Sequence, residues 1–159
     1  MILDMTLQTF TLFHVLISLI GIGSGFVVVY GFFTSKRLNR WTAVFLVTTA
    51  LTSLTGFLFP FNGITPGFKI GVLSLLALAL AAVARYPMHL RWRKTYVITS
   101  CVALYFNVFV LIVQLFEKVP ALKAFAPTQK EPPFAIAQIA CLVVFIVLTI
   151  FSVKNFRVS

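Results

Sequence analysis

The 159 residues are 60% apolar and only 10% charged, against about 45–50% and about 25% in a soluble domain. Mean hydropathy is +1.05, so there is too little polar material to clothe a water-facing surface, and the length excludes a large multidomain enzyme. Thirteen Lys and Arg against three Asp and Glu give a net charge of +10, but the bases fall in short clusters between apolar runs, the pattern of membrane loops and not of a nucleic-acid-binding face.

Crossing the hydrocarbon takes about 20 mostly apolar residues in a helix. Five stretches are expected to do so: 9–33, 42–59, 68–84, 95–116 and 134–153. The third is the shortest, with Lys69 able to snorkel and Tyr86 able to anchor its ends. Helix is the conformation required, because lipid offers no partner for free backbone groups. A polar turn from Thr34 to Arg40 separates the first two runs. Residues 60–67, with Pro60, Gly63, Pro66 and Gly67, close the second run and open the third. Pro87 and Arg91-Trp92-Arg93-Lys94 follow the third, and the longest loop, 117–133, carries Pro120, Pro127, Pro132 and Pro133. The expectation is a single all-α transmembrane domain over residues 1–159.

Orientation follows from the bases. Nine of the thirteen fall on one side: Lys36, Arg37, Arg40, Arg85, Arg91, Arg93, Lys94, Lys154 and Arg157. Lys69, Lys118, Lys123 and Lys130 fall on the other, together with Asp4, Glu117 and Glu131. This places the C-terminus in the cytoplasm and the N-terminus outside. The first eight residues hold Asp4 and no base, unlike a cleavable signal, so the first helix is expected to stay in the mature protein.

Polar residues inside the runs are the candidate functional groups. Thr11, His14, Ser18, Gly21 and Gly25 share one face of the first helix by their spacing; Ser18, Gly21 and Gly25 read as a packing seam. Thr48, Thr52 and Thr55 stack on the second helix, also as packing, since threonine can return its hydroxyl bond to its own helix. Ser100, Asn107 and Gln114 recur every seven residues, and amides in lipid need partners, so Asn107, Gln114 and Gln138 are expected to face other helices. An ionisable group within a span is a functional candidate by default, and His14 lies roughly 8 Å below the outer end of its helix at 1.5 Å per residue. A ligand-binding pocket open to the outer side is therefore expected around His14, Asn107, Gln114 and Gln138.

The inventory disfavours much chemistry. No paired carboxylates lie in a span. Two histidines and two cysteines at different depths do not make a zinc centre, and Cys101 and Cys141 form no C-x-x-C. His14 and His89 are too far apart in depth for a bis-histidine haem, which leaves one-sided ligation through His14 as the sole haem arrangement. Gly21-Ile22-Gly23-Ser24-Gly25 has no strand before it and reads as helix packing, not a phosphate loop. No catalytic residue, metal or resident cofactor is expected.

Three segments, His14–Gly25, Thr55–Phe61 and Ala126–Gln129 with Glu131–Phe134, resemble a group of small polytopic inner-membrane proteins of proteobacteria to which no activity is assigned. The resemblance implies a bacterial inner membrane and brings no ligand or catalytic residue. The function expected is non-catalytic, an accessory or scaffold subunit whose partners are the lipid bilayer, copies of itself or a larger membrane complex. Small-solute binding or transport from the outer side is the first alternative, and a haem- or quinone-binding redox subunit the second.

Overall fold

In a computed structural model describing residues 2–60 and 63–157, the chain forms five long helices and one short one. These are α1 (Leu7–Phe33), α2 (Asn39–Gly56), α3 (Pro66–Arg85), α4 (Arg93–Lys118), α5 (Pro120–Phe125) and α6 (Pro132–Asn155). Each long helix matches an expected run to within about three residues. Phe61 and Asn62, in the turn expected at 60–67, lie outside the described residues. The short α5 was not expected; it forms inside the proline-rich loop, with Pro120 at its first position, where a missing N–H does no harm.

The ends of the helices follow from local chemistry. Thr6 Oγ1 accepts the Thr9 N–H at 3.2 Å and Thr65 Oγ1 accepts the Phe68 N–H at 3.2 Å, each meeting one of the donors a helix start leaves unpaired. Between α1 and α2 the chain turns so tightly that the Lys36 carbonyl and Leu38 Cδ1 lie 2.8 Å from where a Cβ on Gly31 would sit. The Lys36 N–H donates to the Gly31 carbonyl at 2.7 Å, and Leu38 adopts a left-handed conformation with φ of 42°. Glycine is required at position 31 by that close approach.

The long helices alternate in direction. The start of α1 meets the end of α2 at His14 and Thr55, and the end of α3 meets the starts of α2 and α4 at Arg85, Asn39 and Tyr96. The start of α4 meets the end of α6 at Arg93 and Val153. Helix α4 is central, touching α1, α3 and α6, while α2 fills the space between α1 and α3. The best-packed part of the core lies toward the basic end, where Phe32, Tyr96 and Phe156 meet with ring centroids 5.1–6.1 Å apart.

Among the described residues four helices, not five, are long and apolar enough to cross a membrane: Leu7–Phe33, Gly67–Arg85, Arg93–Lys118 and Pro132–Asn155, with mean hydropathy from 2.1 to 2.8. The second expected span is the exception. Its helix forms over 18 residues, but Asn39, Arg40, five threonines and Ser53 dilute its apolar content. The outer surfaces of the four are apolar. On α6 only Phe145 and Ser152 are buried, while Ile136, Ile139, Val143, Val147 and Ile150 are exposed. So continuous an apolar face is foreign to a soluble monomer and suits a multi-pass membrane protein.

Candidate functional site

His14 projects from the third turn of α1 toward the last turn of α2. Its Nδ1 lies 2.7 Å from Thr55 Oγ1, and that hydroxyl donates its own proton to the Leu51 carbonyl at 2.7 Å. A hydroxyl has one proton to give, so His14 Nδ1–H donates and Nε2 is left as the acceptor nitrogen of the neutral ring. The imidazole packs edge-on against Phe59, with centroids 5.2 Å apart, and its Cε1 lies 3.7 Å from where a Cβ on Gly56 would sit. Thr55, Gly56 and Phe59 thus hold the ring from three directions.

The carboxamides are placed separately. Asn107 Nδ2 donates to Thr49 Oγ1 at 3.1 Å, tying α4 to α2. Gly21 sits alongside: a Cβ there would lie 3.2 Å from Thr49 Oγ1 and 3.6 Å from Asn107 Nδ2. Three helices therefore meet at one polar node. Gln138 Nε2 donates to the Phe109 carbonyl at 3.3 Å, while Gln138 Oε1 is buried without a hydrogen-bond partner. Gln114 departs from expectation. It is exposed, because an exact seven-residue spacing drifts around a straight helix of 3.6 residues per turn and carries it off the buried face that holds Ser100. Of the four residues expected to line a pocket, His14 and Asn107 bond to α2 and Gln138 to α4, and no hydrogen bond among the described residues joins any two of the four.

The residues expected to form a packing seam differ in their surroundings. Gly21 and Gly25 are buried, and Ser18 is half-buried with its hydroxyl returned to the Val15 carbonyl at 2.7 Å. Thr48 and Thr52 return theirs to Val44 and Thr48 at 2.6 and 2.8 Å. These bonds remove the penalty of a free hydroxyl in an apolar setting.

The opposite end holds what the sequence did not reveal. Arg85 is buried, yet its guanidinium meets only neutral groups. Nη1 donates to Tyr96 Oη at 2.9 Å, and Nη2 to the Arg37 carbonyl at 3.2 Å and to Asn39 Oδ1. Its Cζ lies 5.1 Å from the Tyr96 ring centroid, within cation–π range. One side chain so joins the α1–α2 turn, α3 and α4. Arg93 Nη1 donates to the Val153 carbonyl at 2.8 Å and to that of Phe156, placing a cation at the negative end of the α6 dipole. Ser35 Oγ donates to the Arg157 carbonyl at 2.7 Å, joining the first turn to the C-terminal segment. Two open hollows lie here, sharing Arg91, Arg93 and Lys94 in their walls. A basic loop signals exposure in sequence, so nothing there singles out Arg85 as buried.

Among the described residues no three His, Cys, Asp or Glu side chains group closely enough to hold a metal, and Cys101 and Cys141 are free thiols. The chain matches no protein-family model, curated protein or solved structure, so the geometry alone must carry a functional reading.

Proposed function

We propose that the chain is a non-catalytic subunit of a bacterial inner membrane, packing with copies of itself or with a larger membrane complex. One observation carries this reading: His14, Asn107 and Gln138 each bond to a neighbouring helix, the use expected of polar groups that hold a bundle together. The broad apolar flank of α6 supplies a surface on which another membrane helix can pack. In this reading α2 is a fifth crossing, the N-terminus is outside and the C-terminus cytoplasmic. Support comes from α2 lying antiparallel to α1 between Gly31–Leu38 and His14–Thr55, from its threonines satisfying their own hydroxyls, and from nine bases gathered at one end. Purification in mild detergent should yield a defined oligomer or a stoichiometric partner, and reporters fused to the two ends should answer from opposite compartments. A clean monomer stabilised by a small solute would overturn the subunit reading, and reporters on one side would remove α2 as a crossing.

A second reading, binding of a small solute beside Gln138 between α4 and α6, is favoured by the unpartnered Gln138 Oε1. If that oxygen meets a solute or its water, Gln138→Leu should abolish solute-dependent stabilisation; if it is a bare packing defect, the same change should raise stability with no solute added.

A further inference from the structure

We propose that the basic groove between the α3–α4 loop and the end of α6 binds the phosphate of an anionic membrane phospholipid. The groove is open, about 890 Å³ in volume, and its wall carries Arg91, Arg93, Lys94, Lys154 and Arg157 with no acidic residue among them. Among the described residues no Asp or Glu side chain lies at this end. Asp4 precedes α1, Glu117 ends α4 and Glu131 precedes α6, all at the far end of the bundle. Five positive charges therefore converge on one hollow with no acidic side chain among the described residues to meet them. Arg93 is held in place by its bonds to the Val153 and Phe156 carbonyls, which orient the guanidinium without neutralising it. The start of α4 adds to the demand for an anion, since its first turn has no acidic residue and Trp92 provides no side-chain cap.

Depth and surroundings decide for a lipid. Helix α4 has 26 residues, about 39 Å at 1.5 Å per residue, against a hydrocarbon core of about 30 Å. Its first turn consequently emerges among headgroups. Exposed Trp92 lines the hollow that shares Arg91, Arg93 and Lys94 with the groove, and exposed Tyr86 follows the end of α3; such amphipathic rings settle at headgroup level. Four residues from Lys94 and from Lys154, on the same helix faces, lie Ile98 and Ile150, 42% and 49% exposed. The cations thus stand directly above apolar surface along which acyl chains can lie. Free phosphate would use the charges and leave that surface unused. The inference requires that α3, α4 and α6 cross the bilayer and is independent of which side the groove faces.

The test compares the wild type with the variant Arg91→Gln/Lys94→Gln/Lys154→Gln, which spares Arg93 and the clamp it forms. The control, Lys118→Gln/Lys123→Gln/Lys130→Gln, removes the same charge from the other end. Each is titrated in detergent with short-chain phosphatidylglycerol, phosphatidylcholine and inorganic phosphate, reading thermal stabilisation and, by native mass spectrometry, retained lipid. Each surface cation contributes roughly a factor of five to anionic-lipid affinity, so phosphatidylglycerol binding should weaken on the order of 100-fold in the groove variant. It should change little in the control. If the triple variant does not fold, Lys154→Gln alone should weaken binding roughly five-fold. Equal weakening in groove variant and control, no preference for phosphatidylglycerol over phosphatidylcholine, or equal stabilisation by inorganic phosphate would each overturn the assignment.

Discussion

Two glycines of α1, two residues apart, should respond in opposite directions to the same methyl group. A Cβ on Gly25 would lie 2.6 Å from Leu104 Cδ1 and 2.9 Å from Phe45 Cε1, where carbon contacts normally settle at about 3.5–4.0 Å. Leu104 is 0% and Phe45 1% exposed, so neither can retreat without displacing other core atoms. Overpacking of this kind costs about 1–3 kcal/mol, and the better helix propensity of alanine returns about 0.5–1 kcal/mol. Gly25→Ala should therefore lose up to about 2.5 kcal/mol net by this balance, about 1 kcal/mol at its middle. At Gly23 nothing lies within 4 Å, so only the propensity term remains and Gly23→Ala should gain about 0.5–1 kcal/mol. Reversible unfolding in mixed micelles, monitored by circular dichroism, would measure both. The decisive control trims the obstacle: Leu104→Ala should do less harm in the Gly25→Ala background than in the wild type, since part of the vacated space is then filled. Equal stability of the two glycine variants, or an identical Leu104→Ala loss in both backgrounds, would refute the three-helix seam of α1, α2 and α4.

Arg85→Lys keeps the charge but cannot reach acceptors on three segments with one ammonium; at about 1.5–3 kcal/mol per charge-assisted bond, a loss of about 2–3 kcal/mol is expected in the same assay, and wild-type stability would remove the joint from the account. In the loop before α6, Thr128 Oγ1 donates to Glu131 Oε1 at 2.8 Å, and the Thr128 and Lys130 amides also donate to the carboxylate. These bonds, the Thr128 hydroxyl first, hold the Glu131 carboxyl below its ordinary value of 4.5. A lowered folded value means the ordering is complete above the ordinary range and is lost as pH falls through the folded one. Protection of the Thr128 amide against hydrogen exchange, corrected for intrinsic rate, should accordingly fall in acid and be lower and independent of pH in Glu131→Gln, which keeps one acceptor oxygen but no charge; wild-type protection indifferent to pH would contradict it.

What was legible in the sequence is what lipid dictates. A backbone in hydrocarbon must be helical and must end where prolines, glycines and charges gather, so the long helices fall where their apolar runs lie. The seam was legible for a related reason: Gly21 and Gly25 continue the spacing of His14 and Ser18, and small residues mark where helices approach. Crossing status was less so, because α2 combines a full helical length with hydroxyls that dilute its hydropathy. The expected pocket rested on shared depth, and depth leaves the angle around each helix undetermined. Asn107 turns inward to Thr49 while Gln114, seven residues on, is exposed. Thr49, the acceptor, lies off the Thr48–Thr52–Thr55 line that the spacing marks.

The buried arginine and the basic groove share a single cause. Gathering nine of the thirteen bases at one end of the bundle gives the loop asymmetry that orients membrane helices, while Asp4, Glu117 and Glu131 lie at the other end, so among the described residues no acidic side chain meets those bases. At the basic end the guanidiniums must find neutral oxygens, and the structure supplies them where helices end: the Arg37 carbonyl before α2 for Arg85, and the Val153 and Phe156 carbonyls closing α6 for Arg93. Carbonyls orient a charge without cancelling it. Arg85, enclosed by Tyr96 and Asn39, becomes a rivet between helices, whereas Arg93, only partly enclosed, still projects its charge into the groove it shares with Arg91, Lys94, Lys154 and Arg157. The groove's unmet demand for an anion is thus a consequence of the same charge segregation, and a phospholipid headgroup is the counter-ion that a membrane supplies at that height.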